Sequence, residues 1–159
     1  MNRPALLPPF QQLLDAHGAD LHRFCVAQAG PHHGPDCFQE AVVAALRAYP
    51  RLQDDRSLRG WLFTIAHHKV LDHHRATARR AVPAGAVPER GIDDAPALDG
   101  DLWSSVARLP DKQRGAVTLR YLGDLPYADI AAALDCSEAA ARQNVRAGLA
   151  ALRQEVSPR

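Results

Sequence analysis

The sequence predicts an all-α protein with two small helical domains joined by a flexible linker, the second domain containing a helix-turn-helix. Apolar residues recur through most of the chain at the spacing i, i+3, i+4, i+7, which is the pattern of one helix face. Alanine is abundant and β-branched runs are scarce, which favours helix over strand. Proline and glycine concentrate in residues 81–100, as is typical of a linker. We therefore expect domains at residues 8–80 and 101–156.

Composition limits the class of protein. The chain has 159 residues, of which 47% are apolar, as in ordinary globular proteins. No run approaches the ~18 apolar residues of a membrane span, and the first twelve residues make a poor signal peptide. The three cysteines show no CxxC spacing, which is simplest to explain in a reducing compartment. We predict a cytoplasmic protein without a membrane segment.

The first domain is predicted to contain three helices. Residues 10–29 and 36–48 show helical spacing, and the Gly-Pro-rich residues 30–35 between them predict a turn. A third helix follows over residues 58–80, with Ser57 as its N-cap. The residues expected to face inward are Phe38, Val42, Ala45 and Leu46 in the second helix, and Leu58, Trp61, Leu62, Ile65, Ala66 and Val70 in the third.

Charge is distributed unevenly, although the formal net charge is only +1. Residues 56–80 carry six basic residues against one acid, together with four histidines. Residues 89–101 carry five acids against one arginine. The basic third helix therefore has the local charge of a nucleic-acid surface, and the acidic linker masks it in the total.

The second domain is predicted to end in a helix-turn-helix formed by residues 126–134 and 138–153. Ser137 lies at the N-cap position of the last helix, and Glu138 places a carboxylate in its first turn. The outer face of that helix carries alanines with Gln143, Asn144 and Arg146, which are side chains that can bond to base edges in the major groove. A helical hairpin with a merely solvated polar face explains this stretch equally well.

Four motifs together resemble bacterial RNA polymerase sigma factors of the extracytoplasmic-function class. Residues 36–50 (DCFQEAVVAALRAYP) and 59–73 (RGWLFTIAHHKVLDH) are similar to the two conserved helices of the first sigma domain. Residues 109–122 and 127–131 are similar to the DNA-binding domain that ends such proteins. The motifs occur in the family's order, across a linker, and cover nearly all of residues 10–153.

The resemblance implies two macromolecular partners, core RNA polymerase and promoter DNA, with an anti-sigma protein as a further candidate partner. Core polymerase would bind the second helix, and the basic helix would engage the minus-ten promoter element. The last domain would contact the polymerase flap and recognise the minus-thirty-five element. The implied polymerase-binding residues are Asp36, Gln39 and Glu40. The implied minus-ten residues are Arg56, Arg59, Trp61, His67, His68, Lys69, His73, Arg75 and Arg79. The implied minus-thirty-five residues are Arg120, Arg142, Gln143, Asn144 and Arg146.

The chain differs from the family pattern at two places. His67 and His68 occupy the positions where the family usually has an Arg-Asn pair. Ala147, Gly148 and Leu149 occupy a stretch where the family is usually richer in arginine, and Gly148 costs helix stability, ~1 kcal/mol relative to alanine. We expect DNA recognition to differ accordingly.

Other functions are weighed against this interpretation. A stand-alone helix-turn-helix regulator would bind duplex DNA without polymerase, and a sigma-like decoy would bind an anti-sigma protein without binding DNA. The residues Cys25, His32, His33 and Cys37 are metal-ligand types, but their spacing is unlike that of structural zinc sites. No nucleophile motif is present. We predict that the protein is not an enzyme and holds no cofactor or metal.

Overall fold

The computed structural model describes residues 7–53, 57–80 and 100–156. These residues form six α-helices, with no β-strand among them, which confirms the all-α prediction. The helices are α1 (Phe10–Ala48), α2 (Leu58–Arg80), α3 (Gly100–Ala107), α4 (Asp111–Tyr121), α5 (Tyr127–Leu134) and α6 (Glu138–Val156), and a short 3₁₀ helix (Tyr49–Arg51) follows α1. The linker predicted over residues 81–100 lies almost entirely outside the described residues.

A kink at Gly30 divides α1 into two legs. Gly30 has φ of 86°, a backbone conformation that glycine adopts without strain, and it is the one non-helical residue inside α1. The turn predicted over residues 30–35 is therefore wrong in extent. Pro31 follows the kink directly, and proline is well suited to the first position of a helix because it has no N–H to satisfy there.

The first domain is held together by the packing of α1 against α2. Phe24 of α1 and Phe63 of α2 are fully buried, and their rings meet edge to face with centroids 5.2 Å apart. Leu21 and Leu62 are also fully buried in this core. Among the residues predicted to face inward, Ala45, Leu62, Ala66 and Val70 are buried in this core, and Phe63 is an additional member. Phe38, Leu58, Trp61 and Ile65 are partly buried against it.

The second domain consists of α3 to α6. Leu119, Ile130, Ala141 and Val145 from α4, α5 and α6 are buried in its centre, and Val106 of α3 joins a smaller cluster beside α6. Asp135 ends α5 in the left-handed conformation with φ of 52°. The backbone N–H of Ala140 donates to Ser137 Oγ at 3.1 Å, which confirms Ser137 as the N-cap of α6.

The two domains pack directly against each other. α2 contacts α4 and α5, and one continuous cluster of buried residues runs from Phe63 and Val70 of α2 to Leu119 and Ile130 of the second domain. We call this boundary the interdomain seam. The first domain contributes Ser57, Arg59, Gly60, Phe63 and His67 to it, and the second domain contributes Gly115, Gly123 and Asp129.

Candidate functional site

The outer face of α6 is open to solvent. Arg142, Gln143 and Arg146 are exposed, and Asn144 is half-buried. The opposite face is buried through Ala141, Val145, Gly148 and Leu152, which fixes the rotation of the helix about its axis. The polar side chains predicted to contact DNA therefore lie together on a rigid helix and face away from the core.

Tyr127 at the start of α5 connects the two arginines predicted for the same surface. The guanidinium of Arg120 lies 4.6 Å from the centre of the Tyr127 ring, and that of Arg142 lies 5.0 Å from it. Arg120 also donates to the carbonyl of Leu125 at 2.9 Å, and Arg142 pairs with Glu138 at 3.5 Å. Both arginines are thus oriented before any ligand binds, next to the Gln143 face.

The minus-ten residues predicted on α2 do not form one surface. His68, Arg75 and Arg79 are exposed at the spacing i, i+7, i+11, and therefore share one face of the helix. Arg56 lies outside the described residues. The remaining members of the predicted set point elsewhere.

Arg59 lies at the interdomain seam, where its guanidinium bridges the second domain and α1. Its Nε donates to the carbonyl of Gly123 at 2.6 Å, and its terminal nitrogens contact His17 Nδ1 at 2.9 Å and Asp20 Oδ2 at 3.2 Å. The guanidinium also lies 4.7 Å from the centre of the Phe63 ring. In this arrangement each nitrogen of the Arg59 guanidinium already has a partner within the chain.

His67 is also closed off from solvent, which differs from the DNA-facing position that the sequence predicted. Its side chain is 2% exposed and lies against Gly115 of α4, and its Nδ1 has no hydrogen-bond partner among the described residues. Burial lowers the pKa of His67 from 6.5 to about 4, with further lowering by His68 and Arg114. His67 is therefore a neutral, buried residue at neutral pH.

Three further members of the predicted set lie next to α1 or the 3₁₀ helix that follows it. The indole of Trp61 lies 6.0 Å from the Tyr49 ring and is half-buried. The imidazole of His73 lies 4.5 Å from that of His33, with the two rings tilted by 36°. Lys69 lines a shallow groove with the second leg of α1, on the side of the predicted polymerase contacts.

The second leg of α1 presents a mixed polar and apolar face. The predicted residues Asp36, Gln39 and Glu40 are all exposed, and Gln39 and Glu40 line the groove that contains Lys69. Val43 and Leu46 on the same leg are 47% and 53% exposed, so the inward orientation predicted for Leu46 is wrong. Neither Val43 nor Leu46 was predicted from the sequence as a surface residue. The signal that could have shown it is that apolar residues occur on two faces of the helix over residues 36–48, and only one of those faces can pack against the core.

The described residues show no group of three His, Cys, Asp or Glu side chains arranged to hold a metal ion. Cys25 and Cys37 are buried as free thiols, and burial raises the pKa of Cys25 to about 12 and that of Cys37 to about 11. Such thiols are poor metal ligands and poor nucleophiles because both roles need the thiolate. Among the helices of the described parts, none has the length and apolar character needed to cross a bilayer.

Family models match both parts of the chain. The model for sigma-70 region 2 matches residues 13–80, and the model for sigma-70 region 4 matches residues 100–152. The first match covers α1 and α2, and the second covers α3 to α6 almost to its end.

Individual relatives agree with these matches. The chain is 32% identical over 154 residues to the probable RNA polymerase sigma-C factor of Mycobacterium bovis, covering 93% of this chain and 83% of that protein. It is 36% identical over 152 residues to the ECF RNA polymerase sigma factor SigD of Mycobacterium tuberculosis, covering 84% and 70%. It is 31% identical over 141 residues to the ECF RNA polymerase sigma-E factor of Escherichia coli K12, covering 78% and 74%.

Solved structures show the same fold. The sigma factor RpoE of Bartonella quintana, crystallised with the anti-sigma factor NepR, superposes with a TM-score of 0.76 at 21% identity, covering 94% of this chain and 98% of that one. CnrH in complex with the cytosolic domain of CnrY gives a TM-score of 0.66 at 25% identity, covering 93% and 89%. Both superpositions extend over the two helical domains together.

Proposed function

The chain belongs to the extracytoplasmic-function class of RNA polymerase sigma factors, non-enzymatic proteins that bind core polymerase and direct transcription initiation at selected promoters, and we propose how its surfaces divide that work. The second leg of α1 binds core polymerase, the exposed stripe of α2 engages the minus-ten element, and the outer face of α6 recognises the minus-thirty-five element. In this proposal residues 8–80 and 101–156 are the two functional domains, and residues 81–100 connect them.

The open face of α6 is the observation that carries the proposal. Arg142, Gln143 and Arg146 are exposed on one helix whose other face is locked into the core. Arginine and amide side chains form paired hydrogen bonds with base edges, and the small Ala139 lets the helix approach the groove closely. Arg120 and Arg142, held at the Tyr127 ring, supply positive charge for the adjacent phosphates.

The stripe of His68, Arg75 and Arg79 on α2 suits single-stranded DNA. Two arginines contact backbone phosphates, and an exposed imidazole offers a flat ring on which an unpaired base can stack. Trp61 and His73 contact the rings of Tyr49 and His33, and these contacts help to fix α2 against the rest of the first domain. Arg59 and His67, which the sequence also predicted for the minus-ten element, lie at the interdomain seam and outside this stripe.

The second leg of α1 has the character of a protein-binding surface. Val43 and Leu46 form an exposed apolar centre, and Gln39, Glu40 and Arg47 surround it with polar groups. An apolar centre with a polar rim is the usual anatomy of an interface. Core polymerase is the partner that we infer for this surface from the family. Because the protein would act on polymerase, we also propose that it is cytoplasmic.

An anti-sigma protein is the second partner we propose. RpoE was solved with the anti-sigma factor NepR, and CnrH was solved with the cytosolic domain of CnrY. Affinity purification of this chain from its native cells, without cross-linking, tests the proposal: a stoichiometric small protein other than polymerase subunits supports it, and recovery of polymerase alone contradicts it.

Run-off transcription tests the main proposal. RNA sequencing after overexpression identifies the promoters, and purified core polymerase is then assayed on them with and without this chain. We expect transcripts that depend on the chain. We also expect Leu46→Asp to abolish capture of core polymerase, because it places a charge at the centre of the proposed interface.

Leu102→Asp is the matched control for that variant. Leu102 is another exposed leucine, 39% exposed on α3 and outside the proposed interface, so the same change there should leave capture intact. The absence of any chain-dependent transcript would contradict the function. Equal capture by wild type and Leu46→Asp would contradict the location of the polymerase surface.

A further inference from the structure

The C-terminal end of α2 lacks the packing that holds the rest of the helix. Val70 is fully buried, but none of residues 71–80 is buried, and residues 77–80 are all exposed. Arg75 and Arg79 of the proposed minus-ten stripe lie in this stretch. Helix ends with few buried contacts open readily. The two arginines therefore need a source of order other than apolar packing.

Two consecutive histidines in this stretch contact α1 on either side of its break at Gly30. Nε2 of His74 lies 2.9 Å from the carbonyl oxygen of Gln28, in the last turn of the first leg. The imidazole of His73 lies 4.5 Å from that of His33, in the first turn of the second leg. The pair thus contacts both legs of α1 close to the point where they join.

The break at Gly30 explains why a carbonyl group is available to His74. A helix that ends leaves the carbonyl oxygens of its last turn without intrahelical donors, and Pro31, directly after the break, has no N–H to donate. Because a carbonyl can only accept, Nε2 of His74 carries the proton. Burial lowers the pKa of His74 to about 4, so at neutral pH the donor is a neutral imidazole.

We propose that His73 and His74 are positioning residues for the minus-ten interaction: they hold the C-terminal end of α2 against α1 and so fix the positions of Arg75 and Arg79. This inference rests on the proposed function, and it gives His73 a role other than the DNA contact that the sequence predicted. Arg79 lies about 13 Å beyond Val70 along the helix, so a bend of about 20° would move it by about 5 Å. A displacement of that size exceeds the range of a hydrogen bond to a phosphate.

Substitutions at His74 distinguish a positioning role from simple packing. In His74→Gln the amide nitrogen reaches the position of Nε2 and can donate to the same carbonyl, whereas in His74→Asn it reaches only the position of Nδ1. His74→Leu fills a similar space with an apolar side chain and cannot donate. The full chain in complex with core polymerase is titrated with a fluorescent promoter fragment, taken from the promoters identified by RNA sequencing, whose minus-ten segment is unpaired.

We expect His74→Gln to bind this DNA within about twofold of wild type. His74→Leu and His74→Asn should bind it roughly three- to tenfold more weakly, which is the range that one neutral hydrogen bond contributes. Capture of core polymerase should be unchanged in all three variants. If packing alone mattered, leucine would be the best replacement, so binding by His74→Gln that is no stronger than binding by His74→Leu would overturn the proposal. A wild-type complex that does not bind the DNA would instead refute the proposed function.

Hydrogen exchange of the chain without polymerase tests the same contact independently of DNA binding. In His74→Leu and His74→Asn, the backbone amides of residues 75–80 should exchange roughly three- to tenfold faster than in wild type, while those of residues 62–70 stay unchanged. His74→Gln should keep the wild-type protection. Unchanged exchange in residues 75–80, or an equal change along the whole of α2, would contradict a local role in holding the end of the helix.

The contribution of His73 is tested by keeping or removing its ring. His73→Phe retains a flat ring against His33 and should bind the same DNA within about twofold of wild type, whereas His73→Ala should bind it roughly two- to fivefold more weakly. His32→Ala is the control, because it removes the neighbouring exposed imidazole of α1 and should leave binding unchanged. Equal binding by His73→Ala and wild type would overturn the role proposed for His73.

Discussion

The helices α2 and α6 both carry a polar face predicted to contact DNA, but the structure uses the two faces differently. On α6 the face of Gln143 and Arg146 is exposed from end to end. On α2 the exposed stripe of His68, Arg75 and Arg79 is separate from Arg59 and His67, which lie in the interdomain seam. The comparison shows that a polar residue on a helix can face a second domain as readily as it faces solvent.

The difference has a physical cause in what covers each helix. α6 is covered by α3, α4 and α5, which leaves a wide outer face free. α2 is covered by α1 on one side and by α4 and α5 on another, so only a narrow stripe remains exposed. α4 and α5 can pack against α2 because Gly60, Gly115 and Gly123 allow the helices to approach closely.

The largest effect is expected from the open face of α6. The double variant Gln143→Ala/Arg146→Ala removes two groups that can each contribute about 1–3 kcal/mol of base discrimination, so transcript at a matched promoter should fall roughly 100-fold. Run-off transcription with saturating core polymerase measures this. Capture of core polymerase should be unchanged.

Gln154→Ala is the control for that variant. It removes an exposed amide from the same helix near its C-terminal end, beyond the predicted contacts, and should leave transcription at the wild-type level. If the double variant also transcribed normally, the face of α6 would have no role in promoter recognition, and the contrast with α2 would lose its functional meaning.

The adjacent histidines of α2 provide the next test, because one is buried in the interdomain seam and the other is exposed. His67→Ala should lower the free energy of unfolding by about 2 kcal/mol, since it leaves a cavity between α2 and α4. His68→Ala should leave stability unchanged and weaken binding to single-stranded minus-ten DNA in the polymerase complex. Urea unfolding and a fluorescence DNA-binding assay separate the two effects. Equal loss of stability in both variants would contradict the assignment.

Local sequence signals predicted the helices well because the physics behind them is local. Helical spacing and the Ser137 cap depend on residues within a few positions of each other, and α5 and α6 begin within a residue of their predicted starts. The Gly-Pro signal located the break at Gly30 but not its extent, because residues 31–35 are helical. The exposure of Leu46 and the burial of Phe63 and His67 depend on which surfaces meet in space. Such long-range contacts leave no periodic signal, since Gly115 and His67 are ordinary residues of their own helices.

The buried histidine also predicts a dependence on pH. The pKa of His67 is about 4 in the folded chain and near 6.5 when exposed. Between these two values the unfolded chain therefore binds more protons than the folded chain. Stability should therefore decrease between pH 6.5 and pH 4. His68, Arg75, Arg114 and Asp111 are the charged or titratable neighbours of His67, and Asp111 alone opposes the shift. His74, whose pKa is likewise lowered to about 4 by burial, acts in the same direction.

Urea unfolding at pH 7 and pH 5.5 measures this dependence. His67 should account for a loss of about 1 kcal/mol over that interval. His67→Gln, which cannot take up the proton, should show a correspondingly smaller loss. An identical pH dependence in wild type and His67→Gln would show that His67 is not buried in the neutral form, and would weaken the contrast between α2 and α6.

The smallest effect concerns Gly148, which lies inside α6, where glycine is less favourable than alanine. A Cβ at this position would lie 2.6 Å from Val117 Cγ2, so Gly148 allows α6 to approach α4 closely. Gly148→Ala gains about 1 kcal/mol of helix propensity but overpacks this contact, at a cost of about 1–3 kcal/mol, and should therefore fail to stabilise the chain. Urea unfolding is the measurement.

Two further variants decide whether overpacking is the cause. Gly18→Ala is the matched control, because a Cβ at Gly18 meets nothing closer than 3.4 Å and should stabilise the chain by up to about 1 kcal/mol. Val117→Ala removes the methyl group that Gly148→Ala would strike, so the double variant should be more stable than the two single effects predict, by roughly 1 kcal/mol of coupling. Simple additivity would mean that α6 can shift without cost. The outer face of α6 would then be less rigidly held than its burial pattern indicates, and its difference from α2 would be one of exposure alone.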